Sequence, residues 1–218
     1  MMHVGAGGPP EGEELARTRA FFGPRAAGWE ARFPDDGPAY LAAVAELGLA
    51  AGQTAIDAGC GTGRALPLLR AAVGPTGIVL GFDLTPEMLA TAAGHGRASH
   101  AHLVMADARR LPLAPASVDA VLAAGLLPHL AEAADGLREL ARVSRPGGRL
   151  AVFHPVGRAT LAARHGRVPG DDDTLAPPTL VPLLERAGWV PELIDDGPDR
   201  YLAIATRSSW SPGEGIRR

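Results

Sequence analysis

Residues 54–64 read Thr54-Ala55-Ile56-Asp57-Ala58-Gly59-Cys60-Gly61-Thr62-Gly63-Arg64, and this stretch decides the fold. Its apolar start predicts a short buried strand over 54–56. The alternate glycines Gly59, Gly61 and Gly63 then let the backbone turn tightly and lie against a ligand with no Cβ in the way. The turn leads into a helix, and Pro67 falls about one turn in, where a missing N–H is tolerated. Asp57 stands just before the loop. A second acid, Asp83, closes the next apolar run, G-I-V-L-G-F-D, 20 residues beyond Gly63. In a strand–helix–strand unit that separation brings a strand-end carboxylate to the two hydroxyls of a ribose. The loop departs from the dinucleotide fingerprint G-x-G-x-x-G/A. Counted from Gly59, the last place falls on Arg64, and the third glycine arrives one residue early. The spacing therefore points to a ribose-bearing ligand and away from NAD.

Working outward, 218 residues suffice for one good core with a small N-terminal cap, not for two domains. Gly 28 and Pro 20 exceed average usage, yet together they stay below the ~25–30% that marks low-complexity disorder. A net charge of −3 gives no basic footprint for a phosphate backbone, so DNA and large RNA are disfavoured as partners. All 21 Lys+Arg residues are arginine, which excludes Schiff-base chemistry and a Walker lysine. The lone Cys60 forms no intramolecular disulfide, and no apolar run approaches the ~20 residues of a membrane span. The first ten residues lack the regions of a signal peptide. A cytoplasmic protein with no membrane partner is expected.

The pattern D-x-G-x-G-x-G over 57–63 resembles motif I of the class I S-adenosylmethionine-dependent methyltransferases of the small-molecule type. The blocks V-D-A-V-L-A-A-G-L-L-P-H-L and R-P-G-G-R-L-A-V-F-H look like the family's middle motifs. The chemistry agrees, because this ligand has no pyrophosphate but carries a cationic sulfonium and an ammonium, which favour nearby carboxylates. The resemblance covers about 39–207 and implies S-adenosyl-L-methionine as the cofactor. Strands alternating with helices demand a Rossmann-like, doubly wound α/β sheet with helices on both faces. Seven strands are expected from the resemblance, mostly parallel, with one antiparallel edge strand supplied by a hairpin of 189–194 and 201–206.

The expected organisation is a disordered tail over 1–12, a helical cap over 13–50, a cofactor-binding core over 51–207 and a tail over 208–218. Within the core, 155–178 reads as a long loop inserted on the substrate side. Helices are expected over 13–22, 39–49, 86–93, 131–144 and 179–187, and further strands over 78–83, 100–105, 118–123 and 149–154. In the cap, Trp29 and Phe33 share a face at i, i+4; the resemblance puts Trp29 near the methyl donor, with core packing as the alternative. Thr85, Pro86 and Glu87 form a strong helix start.

The resemblance assigns the cofactor site as follows. Gly59, Gly61 and Gly63 shape its floor, Asp57 serves the methionyl end and Asp83 holds the ribose. Leu84 and Met88 flank the adenine, Asp107 with Ala108 reads its amino group, and Ala124 closes the site from the end of the fourth strand. His129 and His154, after the fourth and fifth strands, are candidate general bases, or else caps and structural groups. His95, His100 and His102 lie close in sequence but lack a further ligand, so no metal is expected. Arg158, Arg164, His165 and Arg167 meet an anionic substrate or form a solvated charged loop.

The implied reaction is in-line displacement of the sulfonium methyl onto an O, N, S or C nucleophile of a small-molecule acceptor. A catalytically silent S-adenosylmethionine-binding or regulatory protein would show the same motifs, and an NAD-linked oxidoreductase is the other enzyme reading. A nucleic-acid amino methyltransferase would carry N/D-P-P-aromatic where this chain has A-A-G-L. With few aromatic residues to form stacking walls, no planar acceptor is inferred. Monomer and homodimer both stay open.

Overall fold

In the computed structural model the described residues are 11–32, 36–164 and 166–209. Phe33 and His165, and the tails apart from residues 11, 12, 208 and 209, lie outside them. The apolar runs form β1 (Thr54–Ala58), β2 (Ile78–Asp83), β3 (His102–Met105), β4 (Val118–Ala124), β5 (Ser144–His154), β6 (Trp189–Asp196) and β7 (Tyr201–Arg207). Between and before them lie α1 (Glu11–Phe22), α2 (Gly37–Glu46), α3 (Leu66–Val73), α4 (Pro86–Gly94), α5 (Ala133–Val143), α6 (Arg158–Arg164) and α7 (Pro177–Arg186). The seven strands make one sheet in the order β3-β2-β1-β4-β5-β7-β6. The single antiparallel strand, β7, lies at the end of the sheet expected for it, slotted between β5 and the outermost β6. Every other neighbouring pair is parallel.

Side chains alternate across a strand, so the central strands feed two cores. Ile56 and Ala58 join Leu137, Leu140 and Leu184 under α5 and α7. Ala55 joins Val44, Leu47, Leu66 and Leu69 under α2 and α3. The same alternation carries Asp57 to the α2 side, under the cap. On α5 the buried positions Gly136, Leu137, Leu140, Ala141 and Val143 follow the helical repeat. Trp189 and Tyr201 are buried with their polar tips satisfied: Trp189 Nε1 donates to the Leu137 carbonyl at 3.0 Å and the Tyr201 hydroxyl to the Leu175 carbonyl at 2.8 Å.

Three local expectations are corrected. The segment 155–178 is not a loop throughout, because R-A-T-L-A-A-R is a run of helix formers and makes α6. Thr85 stands at the N-cap of α4 but makes no side-chain cap bond; the Thr85 amide donates instead to the Asp83 carboxylate at 2.8 Å. The strand expected over 149–154 begins at Ser144, so Pro146, Gly147 and Gly148 lie within β5, where the pairing with β4 shifts between Val118 and Ala120.

Candidate active site

β1 has β2 on one side and β4 on the other, so the connections after β1 and β4 diverge and open a crevice at the strands' carboxyl ends. A cavity of about 840 Å³ fills it, closed above by α1 and the 3-10 turns Gly23–Gly28 and Glu30–Arg32. Trp29, Asp57, Gly59, Gly61, Asp83, Leu84, Met88, Asp107, Ala108, Ala124, His129 and His154 all line it. Gly63 does not. A Cβ there would meet Leu66 Cδ1 at 2.7 Å and Ala92 Cβ at 3.3 Å, so this glycine lets α3 and α4 close up beneath the loop.

The loop is cradled by the end of β2. The Gly59 and Cys60 amides donate to the Phe82 carbonyl, both at 2.8 Å. The Asp83 carboxylate accepts the Gly61 amide at Oδ2 and the Thr85 amide at Oδ1, each at 2.8 Å. Burial pushes the Asp83 pKa up, and these amides oppose the rise. Each anchored oxygen keeps acceptor capacity for a hydroxyl. Asp57 is 2% exposed, and its Oδ1 has no hydrogen-bond partner among the described residues. Burial and then the charge of Asp83 push its pKa up to about 7. A buried orphan carboxylate oxygen beside a glycine floor fits a cationic group, as the ammonium of S-adenosylmethionine requires.

At the far end Asp107 and Ala108 line the cavity, and Asp107 has a partner that the sequence does not show. Asp107 accepts from Arg109 through the backbone amide at 2.9 Å, Nε at 3.1 Å and Nη2 at 2.8 Å, which takes most of its acceptor capacity. Burial opposes ionisation of Asp107, but Arg109 outweighs it and holds the carboxyl below its ordinary value. Arg109 Nη1 reaches Glu14 of α1 at 2.9 Å, and Glu14 Oε1 also accepts the Ala131 amide at 3.2 Å. Arg109 therefore belongs to the cavity wall, and sequence reading missed it because its second partner lies 95 residues away.

The cap is tied down by such polar straps. Arg19 Nε donates to the Leu84 carbonyl at 3.1 Å, Glu30 pairs with Arg97, and Asp36 pairs with Arg64. No described residue of α1 is fully buried. Under the cap, the rings of Phe22 and His129 meet edge-on at 5.0 Å, Phe21 stacks on His129 at 6.5 Å, and Phe22 meets Trp29 at 5.4 Å. Phe21, Phe22, Trp29 and Tyr40 all line the cavity and give it an aromatic wall. Burial, then the charge of His154, lowers the His129 pKa. Burial likewise lowers that of His154, against its Nδ1 bond of 2.9 Å to the Val156 carbonyl. Both rings are thus held neutral near pH 7. Of the loop arginines, Arg158 and Arg167 line the cavity and Arg164 does not. Arg158 braces its own segment, through Asp196 at 3.3 Å and the Gly170 carbonyl at 2.7 Å. Among the described residues no group of three His, Cys, Asp or Glu is placed to hold a metal ion, and no helix is long and apolar enough to cross a membrane.

Comparison with known proteins bears on this geometry. The profile of a methyltransferase domain matches residues 56–152. The 2-phytyl-1,4-naphtoquinone methyltransferase of Thermosynechococcus vestitus is 32% identical over 174 residues, covering 67% of this chain and 76% of that protein. The chain belongs to the class I S-adenosylmethionine-dependent methyltransferase family. The methyltransferase GfsG of Streptomyces halstedii is 35% identical over 119 residues, covering 53% of this chain and 42% of that one. This family member spans from about a third to about half the length of the first curated relatives it matches. Its fold is shared with a SAM dependent methyltransferase from Aquifex aeolicus, with a TM-score of 0.64 at 23% identity over 88% of this chain and 98% of that one.

Proposed function

We propose that this protein binds S-adenosyl-L-methionine in the crevice and transfers its methyl group to a small-molecule acceptor held beneath the cap. The observation that carries this reading is the buried Asp57 Oδ1, without a hydrogen-bond partner among the described residues, beside the Gly59–Gly61 floor, with Asp83 anchored by two backbone amides. Asp57 takes the ammonium end and Asp83 the ribose hydroxyls, while Leu84, Met88 and Ala108 form the adenine wall. Ala124 lies at the end of β4, beside the path to the acceptor. The bound cofactor supplies an activated methyl on a cationic sulfur.

The chain's own work is then to position the acceptor in line and to keep water out, which alone supplies several kcal/mol. Phe21, Phe22 and Trp29 give the acceptor an apolar roof. A hydroxyl or carbon-acid acceptor also needs a proton acceptor, and the neutral ring of His154 or His129 provides one. An organisation of cap 13–50 and core 51–207 fits this division of labour. The test is a screen of small metabolites with radiolabelled S-adenosylmethionine, using wild type, Asp57→Asn and His154→Ala. Methyl transfer that Asp57→Asn abolishes and His154→Ala slows only for hydroxyl or carbon-acid acceptors is expected. Cofactor binding with no transfer to any acceptor would overturn the enzymatic reading and leave a binding protein.

A further inference from the structure

Most of the charged side chains that line the cavity are already committed. Arg109 holds Asp107 and Glu14, Arg64 holds Asp36, and Arg158 holds Asp196. Arg158 also donates to the Gly170 carbonyl at 2.7 Å, and Asp173 Oδ1 accepts the Leu175 amide at 2.9 Å. Asp57 and Asp83 serve the cofactor in the reading proposed above. Arg32, Arg167 and Asp172 complete the set, and all of them stand at exposed positions. There water screens a charge, and an ion pair is worth little.

The wall left to an acceptor is apolar. Phe21, Phe22 and Trp29 reach into the cavity from the cap, and Leu161, Ala162 and Val168 from α6 and the segment after it. The histidines border the same side, since Phe22 meets the His129 ring edge-on at 5.0 Å and the charge of His154 acts on His129. Two of the apolar side chains are uncovered. Phe21 is 46% exposed, and Val168, at 90%, is the most exposed large apolar side chain among the described residues. Lining the cavity while facing water, they mark its rim.

An anionic acceptor would give up its water for a wall in which every cation that the described residues bury already holds a carboxylate. Desolvating an unpaired charge costs more than an exposed arginine returns. A molecule rich in hydroxyls or amides would likewise leave its donors unpaired against phenylalanine, leucine and valine. We infer that the acceptor is an uncharged, mainly apolar molecule whose one hydroxyl or carbon acid meets the two histidine rings and whose apolar substituent leaves past Phe21 and Val168. This deepens the methyl-transfer reading and rests on it.

The probes share one phenol: 4-hydroxybenzoate and its methyl, butyl and octyl esters. They are titrated calorimetrically into protein saturated with S-adenosylhomocysteine, in wild type, Val168→Asp and Val168→Ser, with thermal melts to establish folding. The methyl ester is expected to bind more tightly than the carboxylate, on the order of tenfold or more. Affinity should then rise with the ester chain, by about fourfold for each methylene that is buried, and both Val168 variants should shrink that gain, Val168→Asp the more. Any of three results overturns the inference while leaving the cofactor reading intact: the carboxylate binding as tightly as its methyl ester, a chain-length gain that is absent or equal in all three proteins, or no binding of any ester. Failure of S-adenosylhomocysteine to bind folded wild type overturns both.

Discussion

Substituting alanine at Gly61 and at Gly63 should separate binding from stability, although the two glycines are two residues apart and both have positive φ, 54° and 79°. Holding alanine in that region costs about 1–2 kcal/mol at either site. At Gly63 the added methyl also meets Leu66 Cδ1 at 2.7 Å and Ala92 Cβ at 3.3 Å. The leucine tip can move, but Ala92 is fixed to the backbone of α4, and overpacking of this kind adds about 1–3 kcal/mol. Gly63→Ala should therefore cost ~2–5 kcal/mol, which for a domain of this size lowers the melting temperature by about 4–20 °C. At Gly61 an added Cβ would meet, among the described residues, just Met88 Sδ at 4.0 Å, and the residue lines the cavity. Gly61→Ala should cost only the backbone part, about 2–8 °C, while its methyl takes ligand space and weakens S-adenosylhomocysteine at least tenfold. Melting curves and calorimetric titrations at a temperature where both variants are folded read the two effects. Equal melting temperatures, or loss of binding in Gly63→Ala with retention in Gly61→Ala, would refute the assignment of one glycine to the ligand and the other to packing.

Asp57 makes the ligand-free protein sensitive to pH. Its folded pKa is raised from 3.8 to about 7, so the folded chain holds the proton more tightly than the unfolded one. The contribution of Asp57 to stability is then full below pH 4 and is lost as pH rises towards 7. Glu30, Asp107, Glu139, His129 and His154, whose pKa values are lowered, act in the other direction, so melts from pH 4 to 8 are compared between wild type and Asp57→Asn. The stability of wild type relative to the variant should fall as pH rises, and a difference that stays constant or rises would contradict it. Glu14→Ala should cut the strap from α1 to Arg109 and the Ala131 amide, and faster amide exchange confined to 11–22 is the expected outcome. Protection of α1 equal to wild type would show that packing, not this strap, holds the cap. Tyr201→Phe removes the bond to the Leu175 carbonyl, beside the cavity, and should cost about 1 kcal/mol, read as about 2–4 °C in melting temperature.

The sheet was legible wherever a strand buried both faces. β1, β2 and β4 are mostly apolar runs, broken within only by Asp57 in β1 and Asp119 in β4, and the loop after β1 carries its ligand geometry in glycine spacing alone. β6 was legible despite Pro191 because it is the outer strand, where the pairing register shifts between Pro191 and Leu193 and a missing donor is tolerated. α6 was hidden because its charged and small residues show no apolar stripe, and none of them is buried. Asp57, Gly59, Gly61 and Asp83, singled out by local spacing, all line the cavity. Its walls were not legible in this way. Asp36 and Arg64 are 28 residues apart, and Glu14 and Arg109 are 95 apart, so only folding brings each pair together. Phe22 of α1 and His129, from the turn after β4, likewise meet only in the folded chain. Arg64 had the best local signal among the missed residues, as a cation placed at the exit of a loop built for a charged ligand.

The central claim is that the crevice is a cofactor site in which Asp83 holds the ribose. Calorimetric titration of the folded protein with S-adenosylmethionine, repeated on Asp83→Ala and with NADH as the competing ligand, tests it most directly. The account predicts binding of S-adenosylmethionine to wild type, its loss in a variant that still melts cooperatively, and no binding of NADH. Wild-type protein that ignores S-adenosylmethionine, or takes NADH in its place, would contradict it.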